Sequence, residues 1–449
     1  MKPGKYISIA SFSALLVATS IFATAAIVTL AQNPFQKLSP ALDRFAYYAV
    51  NIPRAARGIL NGSYRRLYLV RRDSIPDIAK WQHKFPAHDD SGFLLYSGYD
   101  AAIASNAVRL IRVSDGATMI DWDIKSHGKQ GWEAYYAPTT IAEPLVMPGG
   151  DIVVNLDGYL TRIRSCRSDL VWRTDKETHH SIEFDGAGNL LTFSYLPSSY
   201  LENPLMAEKV LDNSLLRVSP DGKILEEQSF SDILLRNGFS ELLLGHLGVG
   251  SNLDPLHLNQ LVEAKGTTAF WNKGDLLISS RHMSTVFLYR PSTGKIIWHQ
   301  TGPWLNQHSA YFVGDRKISV LDNNVVTING STISLKPDDI NRVLVYDFAT
   351  QEISQPYAEI LKQLRPRTGS EGIARISGDG SLLFEETNFG RVMKLTPTQL
   401  QWSYINSAGS QDLAQLRLSR YYTYDEIAAL LPGFNFGRSA KDYNGCVAP

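Results

Sequence analysis

Cysteine is nearly missing from this chain: Cys166 and Cys446 are the only two among 449 residues, and neither stands in a CxxC or a Cys/His spacing that would hold a metal. An even pair in an exported domain can close one disulfide, Cys446 fastening the C-terminal tail back to Cys166; two unrelated thiols are the alternative. Net charge is missing as well. The 44 basic residues balance the 44 acidic ones, so the molecule exerts no long-range pull on a polyanion, and nucleic acid is excluded as a partner. A helix-period pattern is absent between residues 92 and 406, which argues against a helical domain there.

Long apolar runs are absent too, with one exception. Residues 7–31 carry no charge, a stretch longer than the roughly 7 to 15 residues of a signal-peptide core and close to the roughly 20 that span a bilayer. The run reads as an uncleaved signal anchor, an N-terminal transmembrane helix; small residues at Ala23 and Ala25 keep a cleaved signal peptide as the alternative. Lys2 and Lys5 place the N-terminus in the cytoplasm and export the rest, although Arg44, Arg54, Arg57, Arg65 and Arg66 pull the other way. The expected location of the folded part is the periplasm or the outside.

What the chain has in quantity is apolar and aromatic residues, 44% and 10%, with 20% charged, the composition of a folded globular protein. Set one above another, its strand-like segments repeat. A Gly-led run such as LLxxS is followed by a second alternating run, a turn with Gly and often a closing aromatic. The copies start at Gly92, Gly150, Gly188, Gly274, Arg316 and Gly380, and tight turns at Asp115-Gly116, Asp221-Gly222 and Thr293-Gly294 suit hairpins. Six copies of about four short strands predict an all-β fold, a six-bladed β-propeller preceded by the transmembrane helix. Trp122, Trp172, Trp298 and Trp402, at the ends of copies, read as packing residues. The expected organisation is an anchor over 1–31, an Arg-rich juxtamembrane collar over 32–90, the propeller over 91–410, and a 411–449 tail with one short helix near Tyr424–Leu431. The collar lies on lipid headgroups or packs on the propeller as a linker.

In a propeller the innermost strands line one channel, so equivalent positions of successive repeats meet. Three consecutive repeats open with histidine: His179-His180, His257 with Asn259 two residues on, and Gln307-His308. His180, His257 and His308 are expected at one mouth, with Arg281 beside them at the end of the GDLLISSR strand. Strict alternation lets only one of His179 and His180 face the channel. His88, His127, His246, His282 and His299 have no counterpart in the repeat and read as surface or core residues. A guanidinium, an amide and imidazoles can hold the nonbridging oxygens of a sulfuryl or phosphoryl group. A neutral imidazole is a nucleophile that splits transfer into two steps, and a second can move the phenol proton.

The His257-x-Asn259 element, GDLLISSR ending in Arg281, TGKIIW and Gln307-His308 resemble the bacterial arylsulfate sulfotransferase family, periplasmic six-bladed propellers; HHSIEFDGAGNLL resembles that family's upstream histidine segment. The resemblance spans about residues 179–395. It implies sulfuryl transfer from a phenolic sulfate ester to a phenol, without cofactor or nucleotide donor, through a sulfohistidine. It also implies His308 as nucleophile, His180 and His257 as assisting histidines, and Asn259 and Arg281 as sulfate-binding residues. The expected partners are therefore small aryl sulfates and phenols, with the membrane held through the N-terminal helix and a protein partner or homo-oligomer left open. Family members with a larger N-terminal β-domain and a closely spaced cysteine pair differ from this chain on both counts. Three other readings stand beside this one. The three histidines could ligate a metal in a hydrolase, the propeller could be a membrane-anchored binding or assembly module with an idle site, and Trp-rich blades also occur in quinone-cofactor propellers.

Overall fold

The computed structural model describes residues 68–75, 90–129, 139–165, 169–198, 210–246, 254–328, 331–334 and 340–437. The chain divides into two compact units, and the sheets and the histidine cluster belong to the larger, Tyr68–Leu196 with Leu211–Pro449. Residues 7–31, Cys166 and Cys446 lie outside the described residues, and with them the expected transmembrane helix and disulfide. Among the described residues no helix is long and apolar enough to cross a membrane.

Antiparallel β-sheet dominates, in a propeller-like arrangement. Four sheets have four strands each, and one has seven. In sequence the sheet strands mostly meander, pairing with the next, because short turns join runs whose side chains alternate; Lys317–Asp322, which pairs with Arg342–Asp347, skips a two-stranded hairpin. The turn before the Leu276–Ser280 strand shows how the sequence does this. Gly274 takes φ 90, a conformation that favours glycine, while the Asp275 carboxylate accepts from the Asn272 amide at 2.7 Å and pairs with Arg290 on the next strand at 2.7 Å. Asp151 with Arg162 at 2.7 Å and Asp185 with Arg217 repeat that pairing.

Six separate four-stranded sheets are not what is observed. The seven-stranded sheet exists because Leu170–Phe184 is one continuous 15-residue strand. Its first part pairs with Tyr159–Ile163 and its second with Leu190–Pro197. The ring is closed by chain ends: Arg420–Tyr422 pairs with Phe93–Asp100, so the first sheet carries the C-terminal strand as its edge. Hydrophobic clusters sit between consecutive sheets. One joins Leu277 and Val286 to Ala310 and Ile318, and another joins Leu321 and Val343 to Ala374 and Leu382. Trp122, Trp298 and Trp402 pack into such clusters, and Trp172 packs into one formed within the seven-stranded sheet. Burying large apolar side chains contributes about 1.5–3 kcal/mol each, which makes these seams the main source of stability.

The helix expected near the C-terminus spans Tyr424–Leu430 and opens on a capping box of Thr423 and Glu426. Helices at Phe230–Arg236, Ser240–Leu244 and Ala358–Leu364 went unread because each is too short to show a period.

Candidate functional site

The edge strands Ile141–Val146, Leu258–Glu263, His308–Val313, Ile373–Ile376 and Arg420–Tyr422 each contact a neighbour in this series, as does Leu170–Phe184. Near the start of each, the backbone turns to positive φ: Glu143 42, His180 54, His257 43, Ser309 56, Glu371 63 and Leu418 63. Register shifts accompany four of these turns, between Ala142 and Leu145, His179 and Glu183, Leu258 and Gln260, and His308 and Tyr311. Such bulges re-aim side chains out of the pleat, and positive φ on residues other than glycine marks strain held in place by its surroundings.

Three of these kinks gather the histidines. The His180 and His257 rings lie 4.9 Å apart at 77°, and the chain turns so that the Arg281 amide donates to the His257 carbonyl at 3.0 Å. Burial, then His257, His179, His308 and Arg281, depress the His180 imidazole well below its ordinary value; His308 is depressed by burial and then by Arg281. His180, His257, His308 and Arg281 thus come together as the sequence suggested. Burial also lowers Arg281, to about 10, against the opposing charges of Asp254 and Glu371. It remains a cation at neutral pH.

Alternation fails for His179 and His180. The bulge between His179 and Glu183 lets both rings turn the same way, with their Nδ1 atoms 2.8 Å apart. His179 also stacks on Tyr195 at 4.1 Å, and burial drives it down to about 3. His282, read as a bystander, stacks on His257 at 4.4 Å and is held at about 4, first by burial and then by His257. Asn259 is less committed to the site than expected. Its amide donates to the Gln307 carbonyl at 2.7 Å, tying two edge strands together, while its Oδ1 is buried without a partner.

Several residues of the site escaped the sequence reading. Asp254 accepts from the His257 Nδ1–H at 2.7 Å and from the His257 backbone amide at 2.9 Å. Burial raises the Asp254 carboxyl, but the His257 hydrogen bond and charge more than offset this and hold it below the usual carboxylate range. Asn323 presents Oδ1 to His308 Nδ1 at 2.7 Å, while its own amide donates to the carbonyls of Thr368 and Glu371. Those two bonds fix which end of Asn323 faces His308. The acceptor oxygen therefore assigns the proton to Nδ1 and the lone pair to Nε2. The Glu371 amide, donating to Nε2 at 3.2 Å, agrees. The i, i+3 spacing of Asp254 and His257 was a legible signal for the first pair; nothing in the sequence marks Glu371.

Asp254, His257 and His282 offer ligand atoms within 4.8 Å of one another. Both imidazole Nδ1 atoms already face oxygen acceptors, His257 the Asp254 carboxylate and His282 the Asp254 carbonyl at 2.6 Å. The donor set thus fits an oriented imidazole better than a cation cage, the more so with Arg281 next in the chain. The same strands also line a second cavity of about 410 Å³, through Glu143, Glu183, Glu263, Tyr311, Arg375 and Arg420 among others. Arg420 pairs with Glu183 at 2.9 Å and Glu143 at 3.7 Å. Burial, with Glu183 nearby, pushes Glu143 up to about 7 despite the arginine.

Comparison with solved structures finds distant likenesses. A protein of unknown function from Bacteroides caccae is 11% identical, with 74% of this chain and 99% of that one covered and a TM-score of 0.46. A catalytically inactive virginiamycin B lyase from Staphylococcus aureus with quinupristin is 11% identical over 70% and 84%, TM-score 0.37. The C-terminal WD40 domain of Sif2 is 11% identical over 73% and 86%, TM-score 0.38. No curated protein matches the chain. A family model described as Arylsulfotransferase (ASST) matches residues 143–406, a span that holds every histidine and arginine of the cluster, and the chain belongs to that family.

Proposed function

We propose that this protein transfers a sulfuryl group from a phenolic sulfate ester to a phenol through a sulfohistidine on His308, with no nucleotide donor and no cofactor. The observation that carries the reading is the convergence of His180, His257, His308 and Arg281 from separate strands, with the His308 lone pair assigned to Nε2. In the first step the 3.2 Å hydrogen bond from the Glu371 amide to His308 Nε2 breaks and Nε2 attacks sulfur; the S–N bond forms, the bond from sulfur to the aryl oxygen breaks, and the departing phenolate takes a proton from His257. In the second, an incoming phenol gives its proton to His257 and its oxygen attacks sulfur, releasing His308. Arg281 holds the nonbridging oxygens while charge moves to the aryl oxygen. Asp254 keeps His257 turned and balances its charge while it holds the second proton.

Support for six blades comes from the double use of Leu170–Phe184 and from the kink repeated near the start of every central strand; the seven-stranded sheet then counts as two blades fused. The apolar run at residues 7–31 supports a membrane-anchored protein whose propeller faces the periplasm or the outside.

The test is transfer from 4-nitrophenyl sulfate to a second phenol in the presence of a chelator. His308→Ala is expected to abolish turnover and the acid-labile adduct seen by mass spectrometry. Turnover in that variant refutes the nucleophile, and loss of wild-type activity on chelation refutes the metal-free chemistry.

A further inference from the structure

The charges around the histidine cluster bear on which tetrahedral anion the site accepts. Arg281 and Arg417 are the fixed cations, and the proton that His257 gives to the leaving group adds a third positive charge. Asp254 and Glu371 are the anions, and the deeply buried imidazoles of His179, His180 and His308 are neutral at pH 7. Glu371 lies between the two arginines. Its carboxylate pairs with Arg417 at 3.2 Å, its charge opposes the depression of Arg281, and its backbone amide sits on the His308 Nε2 atom at 3.2 Å. The residue cannot swing away freely. Positive φ at Glu371 and at Gly372, 63 and 120, and the bond from Asn323 to the Glu371 carbonyl at 2.9 Å hold its backbone. Arg417 is itself stacked over the Tyr68 ring at 4.6 Å.

An aryl sulfate and an aryl phosphate have the same tetrahedral shape, so the contacts that hold one hold the other. They differ in charge: the sulfate ester is a monoanion, while a phosphate monoester, with a second pKa of about 6, is mostly a dianion at neutral pH. The geometry points to Glu371 as the residue that makes the site selective for a monoanionic sulfate ester over a dianionic phosphate ester. This rests on the sulfuryl-transfer reading and deepens it. A carboxylate whose charge acts on Arg281, carried by the residue whose backbone amide lies on the nucleophile, repels the second negative charge. One such charge at this range, partly screened, corresponds to about a tenfold change in affinity or more.

The experiment titrates the full-length protein with phenyl sulfate and with phenyl phosphate at pH 7.5 by calorimetry, for the wild type, Glu371→Gln and Arg417→Gln, with a thermal midpoint for each. Wild type is expected to bind the sulfate ester at least about tenfold more tightly. Glu371→Gln should tighten phenyl phosphate by about tenfold and phenyl sulfate by much less, narrowing the ratio. Arg417→Gln, which leaves the Glu371 charge uncompensated, should widen it, and it carries the test should the first variant fail to fold. An unchanged ratio in a folded Glu371→Gln, or a narrowed one in Arg417→Gln, overturns the assignment while leaving sulfuryl transfer standing. A wild type that binds neither ester overturns both.

Discussion

Asp254→Asn tests the catalytic assignment with an outcome that simple destabilisation would not mimic. In the wild type, Asp254 Oδ1 accepts from the His257 amide at 2.9 Å and from the Asn213 side chain at 3.1 Å, while Oδ2 accepts from His257 Nδ1 at 2.7 Å. An asparagine must keep its one oxygen towards the two donors on the Oδ1 side. Its NH₂ therefore takes the place of Oδ2 and points a donor at His257 Nδ1. The ring is forced into the tautomer with Nδ1 bare and Nε2 protonated, and it can no longer take a proton from the acceptor phenol at Nε2. General acid-base help is worth about 10² to 10⁴ in rate, so turnover should fall by that factor. With 4-nitrophenyl sulfate the leaving group departs as a stable anion and needs little protonation, so formation of the sulfohistidine should survive. The expected trace in stopped flow is a burst of nitrophenol, one equivalent per site, followed by turnover slowed by that same factor. A variant with wild-type steady-state rates, or one that loses burst and turnover together at an unchanged melting midpoint, removes the basis for His257 as the proton carrier.

The buried histidines also predict acid sensitivity. A folded imidazole held below the ordinary value of about 6.5 contributes stability that is present above that value and lost as pH falls towards the folded one, because the unfolded chain binds the proton more readily. His179 at about 3 and His282 at about 4 should together remove about 4 kcal/mol between pH 7 and pH 5, at about 1.4 kcal/mol per pKa unit. Urea melts at the two pH values check this, and a fall no smaller in the His179→Gln, His282→Gln double variant disproves it. Glu143 works in the other direction. A carboxyl raised to about 7 is favourable while protonated and loses that contribution as pH climbs through 7. Glu143→Gln should therefore gain about 1–3 kcal/mol at pH 8 and nothing at pH 4; equal effects at both would contradict it. Gly372→Ala would push a Cβ to 2.7 Å from the Leu321 side chain at a φ of 120. It should destabilise the fold by more than about 1 kcal/mol and alter binding of aryl sulfate in the same variant, whereas a neutral melt would show that the turn under Glu371 is loose.

Most of the fold was legible because its cause is periodic. Gly274 and Asp275 start a strand for reasons that lie within three residues of them, and the same reasons recur at Gly150 and Gly188. The seven-stranded sheet was not legible, since whether Leu170–Phe184 breaks between two sheets or runs straight through depends on packing around it, not on its own alternation. At the site, His257, Arg281 and His308 could be found because repeat position converts into proximity. His282 and Glu371 could not. His282 follows Arg281 out of the strand, where alternation no longer says which way a side chain points, and Glu371 enters through a backbone kink.

The kinks themselves connect fold to chemistry. A regular central strand would send alternate side chains into the seams between sheets, where His179, His180 and Glu371 would have to be buried among apolar neighbours. Turning one residue of each strand to positive φ costs of order 1 kcal/mol or more per position, yet it frees neighbouring side chains to face the centre together. Those positions are not filled alike: Glu143, Ser309 and Leu418 stand where His180 and His257 stand in other strands. The backbone device follows the repeat and the chemistry departs from it: the kinks on three successive strands bring imidazoles, and the next brings Glu371, whose amide bonds to His308 and whose carboxylate pairs with Arg417. On the selectivity proposed above, an anion entering there meets cationic donors together with a carboxylate, so that its charge, more than its shape, would decide whether it binds.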